Sequence, residues 1–183
     1  MTSDQEITSA LQSSGIPVTS IYTTLAKEKC LDIRGWTRPE VYAGAAGYRG
    51  IYVHPQRPKD NMKARRVFYT VAKEMVLAGQ TCYGISLSLL VHGMNADFEE
   101  TAFTRADSAN FVFIADFYED GAAFPLSAWQ AGRLRSWVRE RFERGLSVSL
   151  LGDKPLSGTH SWWPVSFTGF LSEKMDVYAV GGD

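Results

Sequence analysis

Apolar residues recur along this chain in two rhythms. Short apolar runs at residues 51–53, 81–85, 111–115, 147–151 and 176–180 have the character of strands, and the stretches between them carry helical spacing. The plainest helix follows the first run: Ala64, Val67, Phe68, Val71, Ala72, Met75 and Val76 fall on one stripe. Asp60 or Asn61 can cap its start and Gly79 its end. Ser86 can cap a second helix through Leu87, Leu90, Val91 and Met94. Residues 126–144 give a third, with Leu134, Trp137, Val138 and Phe142 on its apolar face and Gly145 as its stop. Strands alternating with helices in this way predict an α/β fold with a parallel sheet.

Ahead of the first strand the pattern is less regular. Ile7 and Leu11, then Ile21 and Leu25, suggest two short helices broken at Gly15-Ile16-Pro17, and the Gly- and Pro-containing stretch 35–47 reads as loop. Residues 1–48 are therefore expected to form an N-terminal helical arm and residues 49–183 the α/β core. At 183 residues the chain is long enough to bury the core of one domain. A content of 45% hydrophobic and 21% charged residues places it among globular proteins, and a net charge of −1 leaves any nucleic-acid contact to a local patch. Cys30 and Cys82 lie far apart, without Cys or His at metal-ligand spacing, so reduced thiols and no metal site are expected. The acidic, polar start is unlike a signal peptide and no apolar run reaches membrane-span length. A cytoplasmic protein without a membrane partner is expected.

The candidate chemistry gathers at the strand ends. Residues 54–61 join a strand to the best helix through a Pro-rich basic turn, which is the setting of a phosphate loop. The letters of that loop, G-x-x-x-x-G-K-[ST], are absent. Arg57, Lys59, Lys63 and Arg66, with Arg65, form a basic cluster where a helix dipole would help attract an anion or an acidic partner surface; the competing reading is a solvated face. Asp116 stands where an acid would hold Mg²⁺, or it satisfies a turn. Asp153, in Gly152-Asp153-Lys154-Pro155, stands where a polar residue would sense a terminal phosphate, or it belongs to an ordinary turn. The third helix carries Arg133, Arg135, Arg139, Arg141 and Arg144. Arg141 projects near the apolar arc, so it either finds an anionic partner or snorkels to solvent. Trp162-Trp163 either stacks on a base or docks a partner, or it closes a core edge. His54, His92 and His160 are scattered without a partner acid, and no catalytic constellation is seen.

In their order these features resemble the ATPase core of DnaC-type bacterial helicase loaders, a branch of the AAA+ P-loop proteins often carried by phages. The resemblance spans residues 48–180: Gly50 to Val53 is similar to the strand before the phosphate loop, Ala64 to Gly79 to the first helix, and Gln80 to Ile85 to the second strand. Phe111 to Asp116 resembles the Walker-B strand and Gly145 to Asp153 the sensor strand, while residues 170–175 stand where such loaders carry an arginine-finger helix, with Lys174 in the finger's place. Lys59-Asp60 takes the place of Gly-Lys, Ala115-Asp116-Phe117 the place of two acids and Asp153 the place of an Asn-like sensor, so that against the resemblance Asp60, Asn61, Asp116 and Asp153 are degenerate nucleotide-site positions. Pro55 and Pro58 also remove amide donors from the loop.

The resemblance implies a three-layer, P-loop NTPase-like AAA+ core built on a five-stranded, mainly parallel sheet. With three nucleotide positions altered together, it further implies a phage-type, non-hydrolytic adaptor in DNA replication that needs no cofactor and contacts a helicase or an AAA+ loader or initiator. Arg139, Arg141 and Lys174 would then serve a subunit contact, in a homo-oligomer or with that partner. Two other readings stay open. One is a divergent active ATPase, with Lys59 or Lys63 on the phosphates of ATP and Asp116 on Mg²⁺. The other is a single-stranded nucleic-acid binder that contacts DNA through the basic loop and Trp162-Trp163.

Overall fold

The computed structural model describes residues 4–30, 33, 50–95, 102–115, 118–119, 122–123, 126–158 and 163–182. In chain order these give α1 (Asp4–Ser13), β1 (Ile51–Pro55), α2 (Asn61–Leu77), β2 (Cys82–Ile85), α3 (Leu87–Asn95), α4 (Ala102–Ser108) and β3 (Phe111–Ile114). There follow β4 (Tyr118–Glu119), β5 (Ala122–Ala123), α5 (Ala128–Glu143), β6 (Ser147–Leu151), α6 (Val165–Lys174) and β7 (Asp176–Val180). Five strands form one sheet in the order β2-β3-β6-β1-β7, each pair parallel, and β4-β5 make a separate antiparallel ribbon.

Side chains alternate across the strands, so each strand feeds two cores. Ile51, Val53, Phe111 and Phe113 face α2, whose Val67, Phe68, Val71 and Met75 are buried against them. Tyr52, Val112, Ile114, Val148 and Leu150 face the other layer, built from α3, α4, α5 and α6. This is the three-layer architecture that the alternating pattern predicts.

Local signals account for most helix ends. Ser127 caps α5 in a reciprocal box with Gln130, and Gly79 (φ 77°) and Gly145 (φ 72°) follow α2 and α5 in the left-handed conformation. Ser86 Oγ accepts from the Leu89 amide at the start of α3. The start of α2 departs from expectation. Asp60 occupies the cap position, but its side chain makes no cap hydrogen bond there and turns to Arg57 instead.

In the arm the first predicted helix forms as α1, whereas the second is a short 3₁₀ turn at Val18–Tyr22. Leu11, Ile16, Leu25 and Cys30 join the α2 core. Lys73 Nζ donates to the Thr23 carbonyl, and Arg66 pairs with Glu28 at 3.1 Å. Ser14 lends its carbonyl to the Gly84 amide at 2.6 Å, covering the edge of β2. A Cβ on Gly84 would run into the Gly15 carbonyl, so this contact requires glycine.

Candidate functional site at the strand ends

In an open parallel sheet, ligands are received at the carboxyl ends of the strands, where the strand order reverses. Here the chain leaves β1 for β2 at the far edge, returns through β3 and β6, and then passes β1 to reach β7. The reversal lies between β6 and β1, so the turn after β1 and the loop after β6 meet there. Asp116, just beyond β3, lies outside the described residues.

The turn after β1 is bonded to itself. Arg57 Nε donates to Asp60 Oδ2 at 2.9 Å, and this pairing with the guanidinium holds the Asp60 carboxyl below the usual carboxylate range. The Asp60 amide donates to the Arg57 carbonyl at 2.8 Å, the Asn61 amide to Pro58, and the Gln56 amide to Val180 at 2.8 Å. Beyond β7 the chain passes over this turn. A Cβ on Gly181 would strike the Asp60 carboxylate, and one on Gly182 the Gln56 side-chain oxygen. On the other side, the Gly152 amide donates to the Val53 carbonyl and Tyr52 Oη to the Lys154 carbonyl, each at 2.8 Å, which pins the loop after β6 to β1. Asp153 is half-buried in that loop.

These residues do not fit a triphosphate. A phosphate loop needs several unengaged amides and a cation aimed at one point. Here Pro55 and Pro58 have no amide hydrogen, the amides of Gln56, Asp60 and Asn61 are engaged, and Asp60 brings negative charge to the turn. Among the described residues no cluster of His, Cys, Asp or Glu could hold a metal.

The basic cluster divides. Arg57 serves the turn, Arg66 reaches Glu28 of the arm, Lys59 is exposed and Lys63 is half-buried on α2. The α5 arginines divide as well. Arg139 pairs with Glu143 at 2.9 Å and Arg144 with Asp107 at 3.3 Å. Arg141 departs from the three expectations held for it, an anionic partner, snorkelling and a subunit contact. It is 0% exposed, and its guanidinium donates to the carbonyls of Ala106, Asp107, Ala109 and Ser147 while lying 5.1 Å from the Trp137 ring. Lys174, on α6, is in contact with the Glu173 carboxylate. Trp163 is buried edge-on against Phe167, closing the core; Trp162 and His160 lie outside the described residues. Gly181 and Gly182 were not singled out from the sequence, although paired glycines directly after a strand signal close backbone approach.

No protein-family model and no curated protein matches this sequence. Solved structures do match in fold. A putative primosome component from Streptococcus pyogenes superposes with a TM-score of 0.65 at 9% identity, over 95% of this chain and 96% of that one. A DnaC helicase loader gives 0.60 at 13% identity, over 85% and 89%. A DNA replication initiation factor gives 0.62 at 9% identity over 90% of this chain, which spans 49% of that protein's length. Among the described residues no helix is long and apolar enough to cross a membrane. The chain therefore shares the α/β fold of these solved structures, a five-stranded parallel sheet flanked by helices.

Proposed function

We propose that this chain is a nucleotide-independent, AAA+-type adaptor in DNA replication, acting by protein–protein contact on a helicase or on an AAA+ loader or initiator. The likeness in fold to a DnaC helicase loader and to a replication initiation factor supports the replication setting. One observation carries the nucleotide-independent part: the Arg57–Asp60 pair closes the turn where this fold receives phosphate. An incoming phosphate would meet a carboxylate and amides that already have acceptors, so binding would require the turn to be rebuilt.

Calorimetric titration with a non-hydrolysable ATP analogue, with and without Mg²⁺, tests this. Flat titrations are expected in both cases. Micromolar binding that disappears in Asp116→Ala would overturn the reading in favour of a divergent ATPase. The nucleic-acid alternative is weakened by burial of Trp163, which withdraws one ring from the stacking platform that reading needs. Salt-dependent binding of single-stranded DNA that is lost on replacing Arg57 and Lys59 would restore it.

A further inference from the structure

We propose that the groove between α3, α4 and α5 docks an amphipathic helix of a partner protein, one that carries an acidic residue at one end of its apolar stripe. The inference rests on the adaptor reading and names the surface that reading would use. The groove encloses about 590 Å³, and its floor is apolar, made by Met94, Phe103 and Trp137. Helix α5 turns its main stripe (Ala131, Leu134, Trp137, Val138 and Arg141) into the core. A second stripe at i, i+4, i+7 and i+11, Trp129, Arg133, Ser136 and Glu140, borders the groove.

Three features of that border point to a protein partner. Trp129 is 56% exposed, and Trp and Arg are the residue types that dominate binding energy at protein interfaces. Arg133 lies 5.2 Å from the Trp129 ring; among the described residues the ion pairs on and just after α5 are those of Arg139 and Arg144, and Arg133 and Glu140 form none. Gly132 lies inside α5, where glycine costs about 1 kcal/mol relative to alanine. Nothing lies within 4 Å of the place its Cβ would occupy, so internal packing does not require glycine there. A glycine at an open rim lets another backbone come close.

The charges set the chemistry of the occupant and which of its ends is acidic. Arg133 and Glu140 are seven residues apart, roughly 10 Å along the axis. A partner helix along the groove would set Asp or Glu against Arg133, apolar side chains over Met94 and Phe103, and Lys or Arg against Glu140. A phosphate backbone would be repelled at the Glu140 end, which favours a protein occupant.

A phage-displayed library of helical peptides 12 to 16 residues long, panned on the full chain, tests the proposal. The expected selectants carry apolar residues at helical spacing with Asp or Glu at one end. Their affinity is expected to fall at least tenfold on Arg133→Glu and on Gly132→Leu, with circular dichroism and melting temperature of both variants close to those of the parent. Selectants without an acid, affinity indifferent to Arg133→Glu, or no selectant above background would overturn it. Sedimentation showing dimers that Trp129→Ala dissolves would seat a second copy in the groove and overturn the heterologous helix. ATP-analogue binding would sink the adaptor reading without altering the peptide result, so the two failures are distinguishable.

Discussion

The hydrogen bonds that hold Arg141 all go to backbone carbonyls. Burial draws its pKa down to about 10, which still leaves the guanidinium charged at neutral pH. The carbonyls it gathers belong mostly to the C-terminal end of α4 and the residues just after it, acceptors that a helix end leaves unsatisfied, and the remaining one opens β6. Arg141→Met is expected to lower stability by about 3–5 kcal/mol, because several buried acceptors lose their donor together. Urea unfolding should show the midpoint fall with an unchanged slope, and Arg141→Lys should recover little, since one ammonium cannot span those acceptors. Helical projection placed Arg141 beside the apolar arc correctly. Its partners were unreadable because a carbonyl is the same acceptor on every residue and leaves no letter in the sequence. Cys82 offers a second test at this scale. Burial pushes its thiol up to about 12, so at pH 8 it stays protonated and should alkylate with iodoacetamide at least tenfold more slowly than free cysteine. An unfolded thiol ionises first, near 9.0, so the contribution of Cys82 to stability should decline as pH rises from there to about 12.

At the scale of elements, all five sheet strands and the stripe of α2 were legible, because a strand or helix buried on a regular face must repeat its apolar residues at that period. The elements that escaped are short or irregular. Helix α4 has seven residues and a single fully buried one, Ala106, and the β4-β5 ribbon has two residues per strand. The turn after β1 was legible in composition and illegible in bonding, since its charges allow several pairings besides Arg57–Asp60, and the chain that passes over it at Gly181 comes from far along the sequence. Two measurements address it. The Asp60 carboxyl is held below its ordinary range by Arg57, so the turn should be intact above that range and loosen as pH falls through the lowered value. Lower protection of the Asp60 and Asn61 amides on acidification, with exchange measured relative to the intrinsic rate at each pH, and a loss of that pH dependence in Asp60→Asn, are expected. Gly181 has φ 124°, so Gly181→Ala combines a backbone conformation that disfavours side chains with a clash at Asp60. A loss of about 1–3 kcal/mol in thermal unfolding is expected.

At the scale of the whole molecule, the arm is part of the α2 layer. It supplies Leu11, Ile16 and Leu25 to that core, and Ser14 covers the β2 edge. Fully burying a side chain of this size contributes about 1.5–3 kcal/mol, so the three together approach the 5–15 kcal/mol that holds a typical domain folded. Deletion of residues 1–30 would also expose the apolar flank of α2 and leave the Gly84 amide unpaired on an open strand edge, the arrangement that recruits other chains. The shortened chain is expected to lose its cooperative thermal transition and to aggregate at micromolar concentration, as light scattering and calorimetry would show. A chain lacking these residues that melts cooperatively within a few degrees of the full length would mean that the sheet and its remaining helices form the folding unit alone. Leu11→Ala with Leu25→Ala in the full chain then separates the two causes. These substitutions empty the core but leave the Ser14 contact in place, so a lower melting temperature without aggregation assigns the stability to burial and the solubility to the covered edge.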